Sequence, residues 1–232
     1  MVSDPILSRV SFFRVEPGYG YTFESQFTIG DGAPVVDLTF DPQENAIYGF
    51  RERDNLISQY AQDGSFVRDF FGMKEEHALS RQNGGTLQHV VPKAVLTIDQ
   101  DGIYAAYNID PTIYRFSREA GVVDSFHVDL PHFKYPEDRP FVRSESHFAE
   151  YYSDYTFVRR IFKSGAQIFI VSVDYDPVKK APLYHLSAYD LDKKQVGKTL
   201  ETEFEPLCID EHGQIYFAQA REEGYVIKVQ TF

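Results

Sequence analysis

Between positions 35 and 40 the chain alternates. Val36, Leu38 and Phe40 fall on one side and Val35, Asp37 and Thr39 on the other, the period of two that a half-buried strand requires. Asp41-Pro42-Gln43-Glu44-Asn45 supplies turn chemistry, and a second apolar run follows over 46–50. A polar turn over 52–55 leads to a third run over 56–60. Gln62-Asp63-Gly64 then turns the chain into a fourth run over 66–71. Four short strands joined by tight turns predict one antiparallel meander.

The same order returns further along. Runs at 94–98, 103–107, 112–116 and 122–128 form a second copy, with Asp99-Gln100-Asp101-Gly102 as its first turn. A third copy occupies 157–162, 167–173, 183–189 and 195–200. A fourth begins at Pro206-Leu207-Cys208-Ile209, turns at Glu211-His212-Gly213, and continues over 214–218 and 225–229. The first-strand ends Phe40, Ile98, Phe162 and Ile209 are spaced by 58, 64 and 47 residues. The aromatics Tyr48, Tyr104, Phe169 and Tyr216 follow them at near-constant offsets of 8, 6, 7 and 7. A repeated unit that cannot bury both faces alone must stack on its neighbours. Radial repetition of four-stranded units is a propeller, whereas a sandwich needs no internal repeat. The expected fold is therefore all-β, a β-propeller of four-stranded antiparallel blades, as a single domain over 1–232. Its blades fall at 34–71, 92–130, 157–202 and 205–232, with inserts at 72–91 and 131–156.

Two further runs, 10–15 and 21–29, precede the first full copy and predict a partial leading blade over 6–30. The count is then 17 strands, which does not divide into closed four-stranded blades. The run 21–29 could complete the C-terminal blade and leave 10–15 surplus; the preferred expectation is four to five visible blades of a six-bladed ring lacking its first blade and a half, because a blade edge left unsealed is a liability.

Composition narrows the function without naming it. Phe (20) and Tyr (16) are abundant and Trp is absent, as suits a pleated surface. The formal net charge of −12 opposes phosphate backbones. The densest basic spots, Arg159-Arg160 and Lys179-Lys180, read as solvated charge, so no nucleic-acid partner is expected. The single cysteine, Cys208, excludes an intramolecular disulfide and lies in an apolar stretch, which predicts a buried structural thiol. There is no apolar run long enough to span a membrane, and residues 1–5 lack the pattern of a signal peptide.

The stretch from Ile47-Tyr48 through Ile57-Ser58-Gln59-Tyr60-Ala61-Gln62-Asp63-Gly64-Ser65-Phe66-Val67 resembles the NHL-type repeat. Asp99-Gln100-Asp101-Gly102-Ile103-Tyr104, Pro111-Thr112-Ile113-Tyr114-Arg115-Phe116 and Gly121-Val122-Val123 look like the bacterial six-bladed propellers related to TolB and NHL proteins. Asp210-Glu211-His212-Gly213-Gln214-Ile215-Tyr216 is similar to their last blade. The likeness runs over about 34–229. It implies an often exported, commonly lipid-anchored protein with no established reaction; fold alone does not fix function.

Candidate chemistry is dispersed. The turns between second and third strands share one rim of a propeller and carry Arg51, Asp54, Asn108, Asp110, Asp174, Asp176, Arg221 and Glu222. Oxygen ligands converging there would suit a divalent cation such as Ca, although β-turns demand the same residues. The insert at 131–156 carries Arg139, Arg143 and His147 among other charged and aromatic residues, and long loops often bind. His127 and His132 flank Pro131, close to His147 in sequence, but no metal-ligand spacing lies on one element. No nucleophile elbow is present either. The expected function is a non-enzymatic binding scaffold without cofactor. It would use one rim and two inserts, with Arg51, Asp54, Asn108, Asp110, Asp174, Arg139, Arg143 and His147 as candidate contacts. A protein, peptide or carbohydrate would be the partner. The alternative is a propeller hydrolase or lyase with a divalent metal in the central channel.

Overall fold

The structure is a computed structural model. It describes residues 2–4, 9–16, 20–29, 36–50, 55–72, 93–135, 155–176, 178–210, 212–221 and 224–232. Among these every regular element is a strand, and the chain divides into two compact units, 1–75 and 76–232. The first unit holds two sheets: β1 (Val2–Asp4), β2 (Arg9–Glu16) and β3 (Gly20–Thr28), then β4 (Val36–Asp41), β5 (Ala46–Phe50), β6 (Asn55–Ala61) and β7 (Phe66–Gly72). The second unit holds three. They are β8 (Ala94–Asp99), β9 (Gly102–Tyr107), β10 (Asp110–Phe116) and β11 (Val122–His127); β12 (Phe157–Ser164), β13 (Gln167–Asp176), β14 (Ala181–Asp190) and β15 (Gln195–Thr202); and β16 (Pro206–Ile209), β17 (Gln214–Arg221) and β18 (Gly224–Thr231). Each sheet is an antiparallel meander in chain order.

The turns follow from local chemistry. Where first strands end, Asp41, Asp99 and Asp210 each accept a backbone N–H two residues on, at 2.8–2.9 Å. This closes the turn without help from distant residues. Gly102 opens β9 at φ +135°, and a Cβ there would lie 2.4 Å from the Phe116 carbonyl oxygen. Only glycine fits both the backbone and the space.

Packing gives each sheet two distinct faces. In the second unit Tyr104, Ala106 and Ile113 of the third sheet meet Val158, Ile161, Ile168, Ile170 and Tyr189 of the fourth. The fourth sheet then turns Phe169, Val171, Leu186 and Ala188 toward Ile215 and Phe217 of the fifth. In the first unit Val10, Phe12 and Phe27 of the leading sheet meet Ile47, Tyr60 and Phe40 of the second. A forward face thus packs on a backward face at each of these junctions, and the strand period of two assigns alternate residues to each. Burying one such aliphatic side chain contributes roughly 1.5–3 kcal/mol. Polar ties supplement the apolar contact. Lys163 is almost fully buried, with Nζ 2.9 Å from Asp99 Oδ2 and 3.8 Å from Asp101 Oδ2, over the Tyr104 ring.

Two expectations need correction. The leading sheet has three strands, not two, because Val2–Asp4 pairs with Arg9–Ser11 in antiparallel register; three residues are too few to show an alternation. Cys208 is exposed rather than buried. A register shift between Pro206 and Cys208 places it opposite Tyr216, on the face of β16–β18 turned away from the fourth sheet. Its thiol is nonetheless pushed up by partial desolvation and by Asp210, so it stays protonated at neutral pH.

Candidate functional site

In a four-stranded meander the turn between strands two and three lies at the same edge as the start of strand one and the end of strand four. Connections between sheets therefore share a rim with these turns. In the second unit this rim gathers the β9–β10 turn, the segment 128–135 after β11, residues 155–156 before β12, the end of β13 and the start of β14. Asn108 in the β9–β10 turn exchanges hydrogen bonds with the Lys93 backbone through its own N–H and its side-chain oxygen. Its carbonyl accepts the Val158 N–H at 2.7 Å, which anchors β12 to the neighbouring sheet.

A buried polar network lies just below the rim. On β13 the backward-facing positions run Ile168, Ile170, Ser172, Asp174, so an apolar face becomes polar toward its end. Ser172 pairs across to His185 on β14, and His185 pairs across to Glu201 on β15. The register therefore sets one polar row over three strands. Segment 131–135 lays His132 on this row. Its ring stacks on that of His185, centroids 4.1 Å apart, and its Nε2 lies 2.7 Å from Ser172 Oγ. His185 is 4% exposed, with Nε2 3.2 Å from Asp174 Oδ2 and Nδ1 3.8 Å from Glu201 Oε1. Both ring nitrogens of His185 thus face a carboxylate across the strands.

Thr156 joins the two ends of the insert to that network. Its hydroxyl donates to Asp174 Oδ1 and accepts the Lys134 N–H at 3.0 Å, while its own N–H donates to the Lys134 carbonyl. Burial pushes the Asp174 carboxyl up, but contacts from His185 and Thr156, with Lys134 beyond, outweigh it and hold the carboxyl below its ordinary range. His132 moves the other way from a typical paired histidine. Burial, reinforced by the adjacent His185 ring, lowers it to about 4, so it is neutral at physiological pH.

Beside this clamp the rim is open. Tyr135 is 49% exposed, and its OH lies 3.1 Å from His127 Nε2. His127 Nδ1 meets the Thr112 hydroxyl at 3.1 Å, and that hydroxyl lies 2.7 Å from Asp110 Oδ1. An aromatic ring, an imidazole, a hydroxyl and a carboxylate thus form one solvent-facing chain. Such a surface offers both stacking and directed hydrogen bonds.

The expected contacts separate accordingly. Asn108, Asp110 and Asp174 all lie at this rim, Asn108 and Asp110 in or beside a turn and Asp174 within the buried network. Asp110 also accepts the Thr112 N–H, and Asp176 accepts those of Val178 and Lys179, as turn formers do. Arg51, Asp54, Arg139, Arg143 and His147 lie outside the described residues, as does the Glu222 turn position. His127 and His132 are drawn apart, one to Tyr135 and the other to His185. Among the described residues no group of three or more His, Cys, Asp or Glu is arranged to hold a metal ion. The basic spots are matched by acids: Arg159 and Arg160 both reach Glu205, and Lys179 reaches Glu203. No helix among the described residues is long and apolar enough to cross a membrane.

No protein-family profile matches the chain, and no curated protein matches it by sequence. Solved structures do. A protein described as exported, from Bacteroides fragilis, superposes with a TM-score of 0.51 at 10% identity, over 93% of this chain and 61% of its own. A member of the DUF4221 family from Bacteroides vulgatus gives 0.50 at 6% identity, over 91% of this chain and 70% of its own. The WD40 domain of Neurospora crassa Pan2 gives 0.42 at 14%, over 80% and 43%. The chain thus spans less than two thirds of the length of the Pan2 domain and of the B. fragilis protein. At these identities the likeness concerns fold alone. Together with the stacked antiparallel meanders, it makes the chain a β-propeller protein.

Proposed function

We propose that this chain is a non-enzymatic propeller scaffold that binds a protein, peptide or carbohydrate at the rim of its second unit. One observation carries the reading. The two ends of the insert are clamped to each other and to Asp174 through Thr156, and the clamp holds Tyr135 exposed beside His127. Pinning these described ends fixes where Tyr135 stands before any partner arrives, which lowers the ordering cost of a contact there. Tyr135 supplies large contact area with few rotatable bonds, and Asp110, Thr112 and His127 supply adaptable polar contacts. The sequence between the pinned ends carries Arg139, Arg143 and His147, which would extend the same surface. The NHL-like and TolB-like turn motifs agree with an exported binding role.

The test is a screen of the whole chain against a random peptide display library and a glycan array, followed by the double variant Tyr135→Ala, His127→Ala. Both side chains are half exposed, so the variant should melt with the wild type. At least a tenfold loss of affinity for the selected ligand is expected. Unchanged affinity, or selection of ligands that bind elsewhere, would refute the rim.

A further inference from the structure

We propose that the first unit carries a binding site of its own, a groove between β3 and the β4–β5 and β6–β7 turns that takes a neutral oligosaccharide. The groove measures about 680 Å³ and opens broadly to solvent. That volume falls within the roughly 300–1,000 Å³ of small-molecule sites, whose walls are usually apolar. Here the walls are polar. Gln26 of β3, Glu44 and Asn45 of the β4–β5 turn, and Gln62 and Asp63 of the β6–β7 turn set three primary amides and two carboxylates around the ring of Phe27.

Local turn chemistry does not account for these amides. Asp41 Oδ1 closes the first turn by accepting the Gln43 N–H at 2.9 Å, and Asp63 Oδ1 closes the second by accepting the N–H and hydroxyl of Ser65 at 2.9 and 2.6 Å. Asn45 stands at φ 53°, but Lys180 and Lys194 adopt φ 52° and 53°, so that backbone does not demand asparagine. Among the described residues the side chains of Glu44, Asn45 and Gln62 have no hydrogen-bond or ion-pair partner, and Gln26 has only a long 3.4 Å contact from Ser11 Oγ to its oxygen. The walls are nonetheless fixed. Gly64, at φ +85°, seats the β6–β7 turn on β3 so closely that a Cβ would lie 2.5 Å from the Phe27 ring and 2.9 Å from the Thr28 carbonyl oxygen. The groove therefore exists before a ligand arrives, which lowers the ordering cost of binding. Its chemistry selects the ligand. An amide offers N–H donors beside a carbonyl acceptor, which a sugar hydroxyl, itself donor and acceptor, can satisfy. The half-buried Phe27 ring adds an apolar patch for the C–H groups of a sugar. No Lys or Arg lines the groove and the chain carries a net charge of −12, which disfavours an anion. Asp63 is engaged in its own turn, so directed hydrogen bonds outweigh charge here and a neutral ligand is favoured over a cation.

Saturation-transfer NMR of the whole chain tests this with neutral oligosaccharides of glucose, xylose, mannose, galactose and N-acetylglucosamine, beside spermine as a cation and oligogalacturonate as an anion. At least one neutral oligosaccharide should bind, and spermine and oligogalacturonate should not. Backbone amide shifts should then move at 25–27, 44–45 and 62–63. The double variant Asn45→Gly, Gln62→Ala removes two amides without breaking an internal hydrogen bond, and glycine suits φ 53°. It should melt with the wild type and bind roughly tenfold more weakly. No neutral binder, binding of spermine instead, or an affinity that the variant leaves unchanged overturns the proposal. So does a saccharide whose affinity falls with Tyr135→Ala, His127→Ala and not with the groove pair, since that result assigns the sugar to the rim of the second unit. The shift map decides the matter even where a variant fails to fold.

Discussion

Acid should loosen the clamp at the rim in a pH window set by His132. In the folded chain this imidazole is lowered to about 4, against 6.5 for an unrestrained histidine. Between those values the unfolded chain binds a proton that the folded chain refuses, so stability falls as pH falls from 6.5 and the loss is complete near pH 4. At about 1.4 kcal/mol per pH unit, the full separation would correspond to roughly 3.4 kcal/mol. The ring is only partly withdrawn from water, and solvent screening reduces this to about 1–2 kcal/mol. Asp174 acts in a second, lower window. Its carboxyl is held below 3.8, so its contribution is present above that value and is lost only as pH falls further. Groups facing His132 from each packed element enter the balance: His185 on β14, Asp174 and Ser172 on β13, Glu201 on β15 and Lys134 on its own segment. The perturbation is His132→Asn, which keeps a polar partner for Ser172 but does not titrate. Urea unfolding followed by circular dichroism, at steps from pH 7.5 to 4.5, should show the wild type losing about 1–2 kcal/mol more than the variant over that range. Proton-carbon NMR of the histidines should place the His132 midpoint well below 6.5. A midpoint near 6.5, or parallel stability profiles for the two proteins, would refute the reasoning.

Other expectations follow from the same structure. Thr156→Val removes the hydroxyl that joins Asp174 to the segment carrying Lys134; a cost of about 1–3 kcal/mol and a higher Asp174 midpoint by carboxyl NMR are expected, with faster amide exchange at Lys134. Gly102→Ala drives a Cβ against the Phe116 carbonyl at a φ that L residues rarely adopt, whereas Gly213 has open space around it at φ +74°. Thermal melts should show the first variant losing well over 2 kcal/mol and Gly213→Ala about 1 kcal/mol. Lys163→Met keeps the apolar stem but strands Asp99 and Asp101. Because those carboxylates retain solvent, the loss in urea unfolding should be about 2–3 kcal/mol, less than for a fully buried pair.

The blades were legible because their signals are local. Alternation along 36–40 and an aspartate two residues before a free N–H operate within a few positions, and the run over 46–50 matches β5 at both ends. The rim network was not, because His132, Thr156, Asp174 and His185 belong to four segments. Only the cross-strand register and the return of the chain between sheets bring them together. A trace did exist in the sequence. Ser172 and Asp174 interrupt the apolar side of β13, and His185 and Ser187 do the same on β14, so two neighbouring strands turn polar at the same depth. Polar groups at inward positions of adjacent strands require one another as partners, since alone each would cost a desolvation penalty. Reading that coincidence needs the pairing of β13 with β14, which the turn at 178–180 fixes but periodicity alone does not. Cys208 shows the opposite limit. Its apolar neighbours predict burial, yet whether a strand face is covered depends on what lies beyond the sheet.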